Sequence, residues 1–192
     1  MASTVLAQND LVPESEHDRL LRIIREKSLL KGGAFRLASG KPSSYFFDMK
    51  KTMMDPEGAN LIASSILKAV ENEEVDAIGG QEIGAVPIVA VVCAKSHGTA
   101  RPIPAFFVRK KPKGHGTNQL IDGNLEEGAH VVLVEDVTTT GGSVLKAVDA
   151  VRRANCTVTK VLTVVDREDG AAENLRKHGI TLVSLYTSSD FG

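Results

Sequence analysis

The hydrophobic positions near the start of the chain recur at helical spacing and then lose it. Leucines and isoleucines keep this spacing after Ser15 until Gly32-Gly33, which predicts an amphipathic helix over residues 16–31. Over residues 34–51 aromatic and polar residues mix around a Ser-Gly-Lys-Pro sequence, which indicates short strands joined by a turn. A second helix should begin at Asp55-Pro56-Glu57, where a capping side chain is followed by proline and an acid.

The rest of the chain alternates short branched apolar runs with helical stretches. The runs are typical of strands buried on both faces and cover residues 75–78, 103–108, 130–135, 158–165 and 182–186. The helical stretches cover residues 85–96, 142–154 and 171–178. This alternation predicts an α/β fold with right-handed crossovers and a mostly parallel sheet covered on both sides. Ligands of such sheets bind beyond the carboxyl ends of the strands, so we expect the chemistry in the loops there.

Composition sets limits on the class of protein. A chain of 192 residues, 42% hydrophobic and without a repeat or long linker, should form a single domain over residues 1–192. A formal net charge of -1 marks neither a nucleic-acid binder nor a membrane-surface protein. We find no signal-peptide pattern and no spanning apolar run, so we expect a cytoplasmic protein. Cys93 and Cys156 should be buried free thiols, because neither lies in a metal-binding or disulfide motif.

The most informative segment is a buried strand that runs into two acids, Glu135 and Asp136, and then into a loop. The loop contains Val137, Thr138, Thr139, Thr140, Gly141, Gly142 and Ser143. Glycines let backbone N–H groups approach an anion, hydroxyls add donors, and the following helix contributes its positive end, so the loop suits a phosphate. The adjacent carboxylates suit the vicinal hydroxyls of a sugar, and they are able to help hold a divalent cation through water.

Other interpretations of this segment differ in strength. A Walker loop requires a Gly-Lys pair in a spacing that the chain lacks, since Gly40-Lys41 has Phe35 and Pro42 at the flanking positions. A dinucleotide fingerprint is also missing after every predicted strand. An ordinary capped turn with solvated acids remains open as the structural alternative.

The segment closely resembles the phosphoribosyl-pyrophosphate signature of type I phosphoribosyltransferases. The resemblance implies an α/β fold of that type, with a mostly parallel central sheet flanked by helices and a small N-terminal hood region. It also implies that Glu135 and Asp136 bind the ribose hydroxyls and that the loop from Val137 to Ser143 binds the 5-phosphate. Asp136 is in addition a candidate catalytic residue.

A basic segment at residues 109–116 resembles the flexible catalytic loop of orotate phosphoribosyltransferases. By itself it is either a solvated basic loop or a mobile loop that folds positive charge over a pyrophosphate. The resemblance implies that Arg109, Lys110, Lys113 and His115 bind substrate. Lys113 is the first candidate for stabilising the leaving group, and His115 is the second. In that family the loop reaches the neighbouring subunit's active site, which implies a homodimer with loop exchange.

Two further segments resemble the base-binding parts of the same enzymes. Residues 35–48 contain Phe46 and Phe47, whose rings can stack on a pyrimidine, although strand packing into the core is the alternative for at least one of them. Arg167 ends a predicted strand and matches the arginine that contacts orotate, whose carboxylate an arginine can bind through two hydrogen bonds. The alternative is an arginine that pairs only with Glu168 or Asp169.

Residues 79–87 resemble the family's pyrophosphate-binding loop but depart from many members. Lysines are common there and before the Ser-Gly turn, where this chain has Ala85 and Ala38. Lys50 and Lys51 could supply compensating charge, although a solvated strand edge is the plainer interpretation.

The resemblance implies transfer of ribose 5-phosphate from phosphoribosyl pyrophosphate to orotate. Mg²⁺ is the implied cofactor, held mainly through pyrophosphate and water rather than by protein ligands. Transfer to another base and a non-enzymatic regulator are the alternatives. No helix-turn-helix pattern or extended basic face is present, so we expect neither a nucleic-acid nor a membrane partner.

Overall fold

A computed structural model of the chain describes residues 14–37, 40–112 and 120–192. Its helices are α1 (Glu16–Lys27), α2 (Lys50–Met53), α3 (Pro56–Ala69), α4 (Ala85–Ser96), α5 (Gly142–Arg153) and α6 (Ala171–Arg176). Its strands are β1 (Leu29–Arg36), β2 (Pro42–Phe47), β3 (Ala77–Gly79), β4 (Phe106–Val108), β5 (Ile121–Gly123), β6 (His130–Thr138), β7 (Thr157–Asp166) and β8 (Thr181–Thr187). A 3-10 turn, Ser188–Phe191, follows β8.

The central sheet has the strand order β3-β6-β7-β8, and every neighbouring pair in it is parallel. Single parallel bridges, Ile78 to Ala105 and Gln81 to Val108, place β4 next to β3. Strand β4 also pairs with β5 in an antiparallel hairpin, which the apolar pattern did not predict. The predicted mostly parallel sheet is confirmed, and the carboxyl ends of β3, β6 and β7 lie at one edge.

Helices cover both faces of this sheet because β6 alternates its side chains between two cores. Val132 and Val134 face a core that α1, α3 and α4 complete. Val131 and Leu133 face a second core, built with α5 and α6. A strand buried on both faces reads as a continuous apolar run, which explains why the sequence located β6 well.

The N-terminal hood comprises α1, β1, β2 and α2. Its first helix is shorter than predicted, because α1 ends at Lys27 instead of continuing toward Gly32. Ser28 turns the chain: its carbonyl accepts from the Asp48 amide at 2.8 Å, and its buried hydroxyl lies 2.6 Å from that of Thr52. Leu29 and Leu30 therefore belong to β1, which pairs antiparallel with β2. These long-range contacts override the local helical spacing.

The described residues contain no helix with enough length and apolarity to cross a membrane. Both cysteines are free, and Cys156 is buried as predicted, whereas Cys93 is only partly buried.

Packing of β3 against β4 depends on a glycine. A Cβ added at Gly79 would lie 2.3 Å from the Phe106 ring. We therefore predict that Gly79→Ala lowers the free energy of unfolding by about 1–3 kcal/mol, the usual range for overpacking. Urea unfolding measures this effect. Gly98→Ala is the matched control, because its nearest atom would be 4.0 Å away. Equal losses in the two variants would contradict the packing argument.

Candidate active site

A cavity of about 610 Å³ opens at the carboxyl ends of β3 and β6. Its walls are the loop after β6, the loop after β3 and parts of the hood. Lining residues are Phe46, Lys50, Gln81, Glu82, Ile83, Gly84, Lys110, Glu135, Asp136, Val137, Thr138, Thr139, Thr140, Gly141, Gly142, Ser143, Val144 and Lys146. The structure thus brings together the predicted acidic pair, the whole predicted phosphate loop, Lys110 and Phe46.

The loop after β6 leads into the N-terminus of α5, as the motif predicts. Gly141 caps α5 with a φ of 76°, in the left-handed region that favours glycine. The Asn174 side chain donates to the Thr140 carbonyl at 2.9 Å and braces the loop from α6. The start of α5, with Gly142 and Ser143 exposed to the cavity, suits an anion.

One threonine of the predicted phosphate loop is the last residue of β6 and departs from its expected use. Thr138 is 2% exposed, and its hydroxyl donates to the Asp166 carboxylate at 2.9 Å. The Thr138 hydroxyl is therefore committed to β7 and is not a phosphate donor, although Thr138 still lines the cavity. Strand pairing at this position decided the orientation, which the loop sequence alone did not reveal.

The two acids lie against the loop that follows β3. A Cβ at Gly84 would come within 2.6 Å of an Asp136 oxygen and 2.7 Å of a Glu135 oxygen. Glycine at this position therefore lets the two loops approach closely. Burial, and secondarily the neighbouring Asp136 carboxylate, raises the pKa of Glu135 well above its ordinary value.

The loop after β3 is fixed to β4 by backbone hydrogen bonds. Val108 donates to the Gly80 carbonyl at 2.8 Å and accepts from the Glu82 amide at 2.8 Å. The Lys110 amide donates to the Glu82 carboxylate at 2.9 Å. These bonds hold the first residues of the basic loop at the cavity.

Ala85, where many orotate enzymes carry a lysine, is fully buried at the start of α4. Its methyl would lie 2.4 Å from a Cβ at Gly80, so this position faces the backbone just after β3. The other alanine at a family lysine position, Ala38, lies outside the described residues. Among the described residues the cations lining the cavity are Lys50, Lys110 and Lys146.

Lys50 and Lys51 lie in α2, so their interpretation as a solvated strand edge is wrong. The Lys50 ammonium lies 3.1 Å from an Asp48 carboxylate oxygen, and Lys50 lines the cavity whereas Lys51 does not. Sequence reasoning missed Lys146. It follows Ser143 by three residues on α5, a spacing that places the two side chains on one helix face and could have revealed it.

Arg109 directs its charge to the β4-β5 hairpin. Its Nε donates to Asp122, and its guanidinium carbon lies 5.6 Å from the centre of the Phe107 ring. The Arg109 amide also donates to the Leu120 carbonyl at 2.7 Å. Lys113 and His115 lie outside the described residues.

Arg167 is 7% exposed, and its side chain is held from several directions. Nη2 donates to the Ser43 hydroxyl at 3.0 Å, and Nε donates to Asp169 at 3.4 Å. The guanidinium carbon lies 4.1 Å from the centre of the Tyr45 ring. Nη1 is buried and has no hydrogen-bond partner among the described residues. Pairing with Asp169 alone therefore leaves a buried donor that an acceptor from outside would satisfy.

The adjacent phenylalanines of β2 have different surroundings. Phe46 is half-buried, lines the cavity and lies 5.8 Å from the Phe35 ring at an angle of 27°. Phe47 is 4% exposed and contacts the Phe191 ring edge-on at 5.0 Å. The alternative of core packing thus describes Phe47, and Phe46 is the aromatic side chain available to a base.

Comparison with known proteins places this site in a family. The family model for the phosphoribosyl transferase domain matches residues 55–184. An orotate phosphoribosyltransferase of Bradyrhizobium sp. strain BTAi1 is 48% identical over 177 residues, which cover 90% of this chain and 95% of the relative. The orotate phosphoribosyltransferase of Aquifex aeolicus is 44% identical, covering 91% of this chain and 97% of its own.

Solved structures agree with this placement. Orotate phosphoribosyltransferase of Mycobacterium tuberculosis H37Rv, in complex with Fe(III) dicitrate, superposes with a TM-score of 0.81 at 34% identity, covering 93% of this chain and 99% of that one. The same enzyme in complex with phosphoribosyl pyrophosphate gives 0.77 at 31% identity, with the same coverage. The chain belongs to the phosphoribosyltransferase family and has the type I fold that its sequence predicted.

The buried Glu135 gives a testable dependence of stability on pH. The pKa of Glu135 in the folded protein is raised above its ordinary value of 4.5. The contribution of this side chain to the free energy of unfolding is therefore fully present below that value and is lost as pH rises through the folded-state pKa. We predict that the free energy of unfolding of Glu135→Gln exceeds that of the wild type by about 1 kcal/mol or more near pH 8. This difference should shrink toward about pH 5. Urea unfolding across this range measures the difference.

The exposed Glu71→Gln makes the same chemical change and is the matched control. A Glu135→Gln difference that stays constant from about pH 5 to about pH 8 would contradict the assigned burial effect.

Proposed function

We propose that the chain transfers the ribose 5-phosphate group of phosphoribosyl pyrophosphate to orotate, giving orotidine 5′-monophosphate and pyrophosphate in pyrimidine (UMP) biosynthesis. The choice of base rests on the buried Nη1 of Arg167, which has no hydrogen-bond partner among the residues that the structure describes. Orotate has a carboxylate to accept from it, whereas uracil, adenine and guanine have none. The two relatives that match over about nine-tenths of the chain are orotate phosphoribosyltransferases.

The cavity provides a place for each part of phosphoribosyl pyrophosphate. The loop from Thr139 to Ser143, with the start of α5, binds the 5-phosphate through backbone N–H groups. Glu135 and Asp136 accept from the ribose hydroxyls. Support comes from the site's residues and from the related Mycobacterium tuberculosis enzyme, whose structure contains this substrate.

The reaction requires charge stabilisation more than a nucleophile on the protein. As the C1–oxygen bond of the ribose breaks, positive character develops on the sugar and negative charge on the departing pyrophosphate. The orotate ring nitrogen then bonds to C1 from the opposite face, and the proton that this nitrogen loses passes to the departing pyrophosphate. Lys50, Lys110 and Lys146 place positive charge around the cavity, and Lys113 and His115 are proposed to add more from the loop.

A magnesium ion fits this donor set. Glu135 and Asp136 line the cavity, and within the described ranges no group of three or more acidic, histidine or cysteine side chains is arranged to hold a metal ion. That combination suits an ion held mainly by substrate and water, with these two carboxylates reaching the ion through water. When bound, Mg²⁺ would neutralise charge on the pyrophosphate.

The test is the loss of orotate's ultraviolet absorbance when phosphoribosyl pyrophosphate and Mg²⁺ are added, with uracil and the purines run in parallel. Consumption of orotate alone is the expected result. Consumption of another base would contradict the role of Arg167. Binding of phosphoribosyl pyrophosphate without consumption of any base would favour a regulator instead.

Lys113 is proposed to act on the leaving group. We predict that Lys113→Ala lowers kcat by about 100-fold or more while the Kd for orotate changes far less, because the charge acts as the bond breaks. Steady-state kinetics and calorimetry measure these effects. Lys111→Ala removes a neighbouring exposed lysine and is the matched control. Parallel losses in kcat and orotate affinity would argue against a leaving-group role.

We also propose a cytoplasmic homodimer in which the loop of residues 109–116 completes the neighbouring subunit's site. Mixing Lys113→Ala subunits with Arg167→Ala subunits tests the exchange. With exchange, one site of each hybrid dimer combines an intact loop with an intact base site, so activity reappears on mixing. If each loop serves its own subunit, every hybrid site lacks one residue and the mixture stays inactive.

A further inference from the structure

Thr138 connects the end of β6 to the end of β7 through a buried polar contact. Thr138 and Asp166 are paired in the parallel register, and the Thr138 hydroxyl donates to Asp166 Oδ1 at 2.9 Å. Their exposed fractions are 2% and 8%. Because the contact is buried and its acceptor is a carboxylate, water cannot readily replace the hydroxyl.

The same contact reaches the residue proposed to recognise the base. The Arg167 amide donates to the Thr138 carbonyl at 2.9 Å, directly after Asp166. Asp166 Oδ1 also accepts from the Glu168 amide at 3.2 Å. Glu168 has a φ of 60°, in the left-handed region that non-glycine residues rarely adopt. The Asp166 carboxylate therefore holds the backbone that follows Arg167 in a sharp turn, and the Thr138 hydroxyl holds that carboxylate.

The position of this turn matters because the Arg167 side chain enters a confined space. Its guanidinium meets Tyr45 and Ser43 of the hood and donates to Asp169, and these contacts leave only Nη1 without a partner among the described residues. A backbone shift after β7 would move Nη1 relative to a base that the hood and the phosphate loop hold in place. Such a displacement would weaken a charge-assisted hydrogen bond from Nη1, because the bond depends on distance and angle.

We propose that Thr138 is a positioning residue for the base site: its hydroxyl, acting through Asp166, sets Arg167 for the carboxylate of orotate. The proposal rests on the proposed function and adds a residue that does not touch the base. It predicts a defect confined to ligands that carry the carboxylate, although Thr138, the last residue of β6, also lines the phosphoribosyl cavity.

Binding of two nucleotides to the intact protein separates an effect on the carboxylate site from an effect on the phosphoribosyl cavity. Orotidine 5′-monophosphate and uridine 5′-monophosphate share the ribose 5-phosphate and differ by the carboxylate. For Thr138→Val we expect the Kd of orotidine 5′-monophosphate, measured by calorimetry, to rise about tenfold and that of uridine 5′-monophosphate to stay within about twofold. Thr138→Ser keeps the hydroxyl and should restore tight binding. In kinetics, KM for orotate should rise while KM for phosphoribosyl pyrophosphate stays close to wild type.

A double-mutant cycle provides the second readout. In an Arg167→Ala background, Thr138→Val should produce no further loss of affinity, because the side chain through which it acts is missing. Thr138→Ala also lacks the hydroxyl and replaces Thr138→Val if that variant does not fold.

Equal weakening of both nucleotides, unchanged affinity for both, or failure of Thr138→Ser to restore binding would each overturn the proposal. Failure of the proposed function is distinguishable from these results. If the proposed function were wrong, the wild type itself would bind the two nucleotides equally and would not consume orotate.

Discussion

The parallel register between β6 and β7 is the constraint on which the site depends. It sets Thr138 opposite Asp166, so the phosphate loop and Arg167 leave the sheet side by side. A one-residue slip would reverse which face each side chain occupies, moving Val132 and Val134 out of one core and Val131 and Leu133 out of the other. The two cores therefore hold the register, and the register holds the site.

Two buried ionisable side chains make this arrangement useful for catalysis. Glu135 is desolvated beside Asp136, and Arg167 is desolvated between the hood and β7. Each is less well compensated in the protein alone than with the proposed ligand, since ribose hydroxyls would donate to the acids and a carboxylate would accept from Nη1. Such sites give up some folding stability, and in return they bind charged and polar ligand groups strongly in a region from which water is largely excluded.

The local sequence pattern was sufficient to predict the central strands and the position of the acidic pair and the phosphate loop. Continuous apolar runs located β6 and β7, and the strand-acid-loop-helix order located the acidic pair and the phosphate loop. The carboxylate-binding potential of Arg167 also follows from residue chemistry, and its burial adds to that expectation.

Features decided by tertiary contacts were not accessible in the same way. The end of α1 depends on Ser28 meeting Asp48 and Thr52, and the Thr138 hydroxyl turns toward Asp166 because of a neighbouring strand. Phe46 and Phe47 are chemically identical neighbours, and only the alternation of β2 separates the cavity from the core. β5 is short, and pairing with β4 rather than its own apolar pattern defines it.

In the proposed function, Arg167 selects the base through Nη1, which has no hydrogen-bond partner within the described parts of the chain. A crystal structure of the protein with orotidine 5′-monophosphate tests it most directly. We predict Nη1 within hydrogen-bonding distance of the carboxylate, with the guanidinium still over Tyr45 and bonded to Ser43. A bound nucleotide whose carboxylate faces away from Arg167, with Nη1 bonded to protein or water instead, would contradict it.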